Sequence, residues 1–292
     1  MVYFKNVRRL ASRPAPLLGL IIVVAFFGWA LVEGILQLVG AAAKMPTLGW
    51  TLLPFNPYAQ SLSHTLLPPS AAHVMGTDDL GRDIWSRILY AAPVDALVST
   101  LVVGAGVLVG SLVGVPAGYF GKTVGEVNMR ATDLFLAFPA LILAVAIEST
   151  LGRELIYAIV ALAVTWWPAY ARVFRAEALR VKNMRFIDAA LLSGQSDVRI
   201  MGRHVLPSSL NTVVSYATID LGNAILVYSI LSFLGFGIPA PNPEWGAMTA
   251  AGLNYFPQWW WYAVLPGIVI TIVVIGTALL GDGLRDILSG ES

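Results

Sequence analysis

Gly118 to Thr123, "GYFGKT", ends as a phosphate-cradling loop ends, with a lysine and a hydroxyl that could hold a nucleotide's phosphates and its magnesium. That cradle also needs a glycine five residues before Gly121, and Pro116 stands there. The stretch follows a long apolar run and not a strand, so no nucleotide site is expected. Gly104, Gly106 and Gly110 miss the spacing of a dinucleotide-binding turn by one residue. His64, His73 and His204 lie in separate polar stretches without metal-ligand spacing, so surface or capping roles are expected and a metal is not. Cysteine is absent, which removes thiol catalysis, disulfides and cysteine metal sites.

The composition says where such residues must sit. Of 292 residues 57% are hydrophobic and 12% charged, and the mean hydropathy of +0.74 is that of a membrane protein. A net charge of +1 gives no basic surface for nucleic acid. A bilayer core of about 30 Å takes about 20 apolar residues as helix. Six segments qualify, near 17–39, 96–118, 132–152, 154–172, 211–234 and 262–281. If the N-terminus lies inside, Lys5, Arg8, Arg9, Arg13, Arg285 and the loops around Lys122 and 172–203 are all inner. Only Lys44, Arg82, Arg87 and Arg153 of the 18 Lys and Arg are then outer. The first segment, followed by Gly40 to Lys44, resembles a secretory signal with a small-residue cleavage site, but its apolar run is too long, so it is read as an anchored helix. The chain thus divides into an inner N-terminus and first span (1–43), an outer loop (44–93) and a five-span core (94–292) with an inner loop at 173–207.

Within the second segment Gly106, Gly110, Gly114 and Gly118 recur every four residues and mark a face for close helix packing. Glu33, Asp133 and Glu148 lie near segment ends and are expected to reach the interface. Asp220 lies about nine residues into the fifth segment, near Asn211, Ser215 and Asn223. Two readings stay open for it: lining a polar passage, or hydrogen-bonded packing. Asp78, Asp79, Arg82, Asp83 and Arg87 cluster just before the second segment, where ion pairs would pin the outer loop; contact with an outside protein is the lesser reading.

The inner loop has its own order. Phe186, Ala189, Ala190, Leu191 and Leu192 give a short helix an apolar face, and Gly194 breaks it. Asp197 is placed to cap a second short helix, containing Arg199 and ending before Leu206 and Pro207. A basic loop beside a membrane ordinarily anchors topology against anionic lipid; the helix, turn and helix pattern points to a docking element.

"DAALLSGQSDVRIMGRHVLP" resembles the "EAA…G…LP" loop of permease subunits of ATP-binding cassette importers, with Asp188, Ala189, Ala190, Gly194, Leu206 and Pro207 at matching spacing. "GTDDLGRDIWSRILY" (76–90), "LSFLGFGIPAPNPEWGAM" (231–248) and "LLGDGLRDIL" (279–288) narrow the resemblance to the dipeptide, oligopeptide and nickel class, and to the subunit with the GTDxxGRD signature. The resemblance implies an all-α protein of the cell membrane with six spans and cytoplasmic termini. It implies a second homologous permease, two cytoplasmic ATPases carrying ATP and magnesium, and an extracytoplasmic substrate-binding protein. No cofactor is implied on this chain. Peptides or similar small solutes are the implied cargo, and members of the class also carry oligosaccharides. Against the family's usual residues, Asp188 stands for Glu, Pro93 and Asp95 for Arg and Ser, and Tyr228 for a frequent Glu in the fifth segment, which bears on cargo. A stand-alone secondary transporter is the alternative, but the inverted repeats it would need are not visible. An intramembrane hydrolase would need a nucleophile and base within spans, and no histidine lies in one.

Overall fold

In lipid a single segment can satisfy its backbone only as a helix, and the apolar runs fold accordingly. The computed structural model describes residues 13–289, so Lys5, Arg8 and Arg9 lie outside the described residues. In chain order the helices are α1 (Pro14–Ala42), α2 (Ile84–Phe120), α3 (Lys122–Leu136), α4 (Ala140–Leu151), α5 (Leu155–Lys182), α6 (Arg185–Leu192), α7 (Asp197–Ile200), α8 (Leu206–Phe233), α9 (Trp245–Leu253) and α10 (Trp260–Ser289). No strand forms among the described residues. Among the described residues five helices are long and apolar enough to cross a membrane, counting α7 to α8 as one of 37 residues.

Several segments depart from their expected bounds, the fourth by running on to Lys182. The third, expected as one span over 132–152, is broken at 137–139, where α3 and α4 meet at 78°. Pro139 explains the break, since it disfavours helix in the residue before it and has no N–H to donate. The second begins at Ile84 and not near 96, because the Asp83 carboxylate caps it, accepting from the Ser86 N–H at 2.8 Å and the Ser86 hydroxyl at 2.7 Å. The fifth begins at Asp197, not near 211.

Helix α2 packs most extensively against α5, and α10 against α8 and α1. Along the first contact a Cβ added at Gly106, Gly110, Gly114 or Gly118 would fall closer than 3.0 Å to atoms of Tyr170, Ala171, Phe174 or Ala178. The four-residue stripe therefore brings two backbones together. One apolar cluster joins α2, α5 and α8 and reaches Ile187, Ala190 and Ile200 of the 185–200 segment; a second joins α1, α2, α9 and α10. The outward face of α1 leaves Leu18, Ile21, Val24, Leu31 and Leu38 exposed, as a lipid-facing helix does.

Glu33 and Glu148 do not reach an interface as expected: both are fully buried. Glu33 accepts from Gln37 Nε2 at 3.1 Å, and Glu148 from the Gly237 N–H at 2.6 Å. The partner lies inside the protein, so the side chain has no reason to reach for water. Asp133 is half exposed and pairs with Arg172 at 2.7 Å.

The seam yields a paired expectation. Gly114→Leu would drive a side chain into the Ala171 carbonyl and Phe174, and should cost about 3 kcal/mol or prevent folding. Gly104→Leu, on the same helix with nothing within 4 Å, should be tolerated. Thermal unfolding of both variants in detergent, against the natural sequence, checks this.

Candidate functional site

The loop after α5 is built on three local features. Asn183 and Met184 end α5 and start α6 with scarcely a gap. Gly194 then takes φ +77°, where side chains are strained, and the N–H groups of Gly194 and Gln195 bond back to Leu191 and Ala190 at 3.0 and 3.2 Å. Ser196, not Asp197, is the residue capping α7, and it offers no side-chain bond; Asp197 sits in the first turn. Its carboxylate is engaged elsewhere, accepting from the Tyr119 hydroxyl at 2.8 Å.

The second short helix does not end before Pro207 either. It passes through a π-turn, Met201–Val205, directly into α8, with Pro207 in the first turn of α8. The wider turn takes up the residue whose missing N–H would otherwise interrupt the ladder, and the fixed φ of proline suits a first turn.

The loop's faces differ from the expected ones. Ile187, Ala190 and Ile200 are buried against the bundle. Phe186, Asp188, Ala189, Leu191, Val198 and Arg199 face outward, and Leu192 is 90% exposed. Helical spacing explains the swap, since 187 and 190 share one face and 186, 189 and 192 another. Tyr119, at the end of α2, holds the assembly: it donates to Asp197, and its carbonyl accepts from Lys182 Nζ at 2.5 Å, with that ammonium 5.5 Å from its ring centre. His204 and Gln195 lie within hydrogen-bond distance, 3.2 Å, across the Gly194 turn.

Above the loop, between α5, α8 and α10, lies a cavity of about 420 Å³. Asn211 and Ser215 line it, together with Thr212, Tyr216, Ile219 and Arg285, which the sequence reading did not single out. The 211, 215, 219 spacing is the signal that could have found this face. Asp220, Asn223 and Tyr228 are not in its lining. Asp220 is buried between α5 and α8, accepting from Trp166 Nε1 at 2.5 Å and Asn223 Nδ2 at 3.4 Å. Tyr228 is fully buried near the far end of α8.

At that far end the acidic and basic cluster is interior. Arg82 Nε donates to Asp78 at 2.7 Å, Arg87 stands 3.7 Å from the same carboxylate, and Arg87 also donates to the Pro57 carbonyl at 2.9 Å. Asp79 accepts from Tyr262 at 3.0 Å and Tyr255 at 3.3 Å, and its charge pushes the Tyr255 hydroxyl pKa up. His64 and His73 are not in separate loops. Their rings are 6.2 Å apart, packed by the fold of 61–83, and His73 Nδ1 lies 2.9 Å from Asp83. Among the described residues no group of three or more histidine or acidic side chains is placed to hold a metal.

The helices are sized for a membrane, with an ordered loop at one end. Residues 106–290 match the family described as the binding-protein-dependent transport system inner membrane component, and the chain belongs to it. It is 39% identical over 237 residues to a probable D,D-dipeptide transport system permease of Escherichia coli (strain K12), covering 81% of this chain and 80% of that one. It is 38% identical over 241 residues to a di/tripeptide transport system permease of Pseudomonas aeruginosa, covering 80% of each. A chain of the MetNI methionine ABC transporter, solved in inward-facing conformations, shares the fold with a TM-score of 0.58 at 20% identity, over 70% of this chain and 97% of that one. The protein is a permease subunit of an ATP-binding cassette importer, a multi-pass component of the inner membrane.

The burial of Asp220 sets a graded expectation. Asp220→Asn keeps an acceptor for Trp166 and should cost under about 1 kcal/mol, whereas Asp220→Leu strands that indole N–H and should cost about 1–3 kcal/mol. Thermal melts of the two variants check the order.

Proposed function

We propose that this chain passes short peptides, handed over by an extracytoplasmic substrate-binding protein, into the cell. Beside it stand a second homologous permease and two cytoplasmic ATPases that bind ATP and magnesium. The names of the Escherichia coli and Pseudomonas aeruginosa relatives support dipeptides and tripeptides as cargo over oligosaccharides. With the bent α3–α4 pair counted as a sixth, broken span, both termini share a side, and the bias of Lys and Arg supports the cytoplasm for them and the 173–207 loop, and the outside for 44–93. Lipid surrounds the apolar outer faces.

The observation that carries the reading is the outward strip of Phe186, Ala189, Leu192 and Val198, mounted on a loop that is rigidly tied to α2 and α5. A soluble face rarely presents such a strip without a partner. Docked in a groove of an ATPase, it would transmit the closing of the ATPases to α5 and α8, which leave the loop at its two ends, and bias the bundle between outward-open and inward-open states. Leu206 and Pro207 join the loop to α8; Asp188 and Arg199 flank the strip as polar contacts for the ATPase. The 420 Å³ cavity lies on the inner part of the pathway, where Asn211 and Ser215 offer neutral hydrogen bonds and Arg285 a positive charge for a peptide carboxylate. Asp220, Asn223 and Tyr228 continue the polar side of α8 away from it. The ion-paired cluster 78–87 pins the outer loop.

Gly194→Val should leave membrane insertion and assembly intact but separate ATP hydrolysis from uptake, because a branched residue at φ +77° cannot hold α6 and α7 in their present relation. The expected result, in vesicles containing all subunits, is peptide uptake reduced at least about tenfold, a loss of coupling of about 1.4 kcal/mol or more, with ATPase activity retained. Normal uptake would overturn the docking role of this loop.

A further inference from the structure

Three carboxylic acids converge on the turn at 234–243, opposite the docking loop: Asp95 from α2, Glu148 from α4 and Glu244 at the start of α9, all fully buried. Glu148 is provided for, by the Gly237 N–H at 2.6 Å and by the charge of Arg153. Asp95 is not, and Glu244 is so only in part. Neither oxygen of Asp95 has a hydrogen-bond partner. Glu244 uses Oε2 to cap α9, accepting from the Ala247 N–H at 2.7 Å, while its Oε1 has none.

The surroundings supply no cation to this pair. From α8 come the buried hydroxyls of Tyr228, Ser229 and Ser232, with Ser232 close to both Tyr228 and Glu244. The charges acting on Tyr228 are those of Glu244, Asp95 and Glu148, and the charge acting on Asp95 is that of Glu244. Arg153 serves Glu148. Two buried like charges with three bare oxygens between them are not a stable arrangement, and one proton removes both the repulsion and one missing hydrogen bond.

We propose that Asp95 and Glu244 form a buried acid pair sharing a single proton, and that this proton latches α2 to the start of α9, closing the far end of the bundle around Tyr228. Burial pushes the Glu244 pKa up to about 7, against 4.5 in an open chain. The folded protein then binds its proton more tightly than the unfolded chain does. The latch's contribution is complete below about pH 4.5 and is lost as pH rises through about 7. The proposal stands independently of the cargo and of the docking loop.

The test uses the full chain, purified in detergent, melted at steps from pH 5 to pH 8. The natural sequence should lose several degrees of Tm across this range, and Asp95→Asn and Glu244→Gln should each flatten the profile, since an amide donates without titrating and Gln can still cap α9. Infrared spectra at neutral pH should show a protonated carboxyl band that Asp95→Asn removes. A flat or rising profile in the natural sequence, a fall that Asp95→Asn leaves unchanged, or no protonated carboxyl band would each overturn the proposal. So would a Tm that responds to sodium at fixed pH and not to pH, which would put a metal cation in place of the proton.

Discussion

Helices in lipid gain little by hiding apolar surface from one another, so the arrangement of this protein depends on how closely two backbones can approach. The seam of Gly106, Gly110, Gly114 and Gly118 on α2 against Tyr170 to Ala178 on α5 supplies that approach. The inner loop and the outer-loop cluster hang from these two helices. The Asp83 cap and the Asp78, Arg82 and Arg87 cluster organise the start of α2, and Tyr119 near its end holds Asp197 and Lys182. Helix α5 runs on into the loop that presents Phe186, Ala189 and Leu192. A displacement of the loop therefore acts on a rigid pair of helices and not on a flexible tether.

The same constraint sorts the polar side chains. Inside the bundle each charge needs a partner or a proton. Asp220 has Trp166, Glu148 has Gly237, and Glu33 has Gln37. Asp95 has no hydrogen-bond partner and Glu244 has the Ala247 N–H on one oxygen, which is why a proton is proposed between the first turns of α2 and the start of α9. Asp95 and Tyr228, two of the positions where this chain departs from its family's usual residues, meet in that one cluster. At the docking end the logic reverses, and apolar residues are left outside for a partner to cover.

Much of this was legible in the sequence. Spacing by four revealed the glycine stripe, because helical periodicity is a property of the segment alone. Gly194 was legible as a break because glycine takes the left-handed turn that other residues resist. What was not legible depended on neighbours distant in sequence. The sharp bend at 137–139 was hidden because apolar residues continue on both sides of Pro139. Asp197 reads as a cap until Tyr119, 78 residues away, is seen to occupy it. The continuation of α7 into α8 needed a π-turn, which leaves no periodic trace, and the burial of Glu33 and Glu148 followed from packing partners that hydropathy cannot name. Arg285 escaped notice because its relation to Asn211 and Ser215 exists only once α10 lies against α8.

The proposed meeting of the 185–200 loop with an ATPase, through its exposed apolar strip, can be tested by cross-linking. The chain has no cysteine, so single cysteines can be placed without background. In the assembled transporter, Leu192→Cys should cross-link to an ATPase subunit bearing cysteines around its docking groove, and the yield should change when ATP is bound. Leu112→Cys, also exposed but on the apolar flank of α2, should give no such product. A transporter that retains its ATPases yet yields no cross-link from Leu192→Cys, in either nucleotide state, would contradict the account.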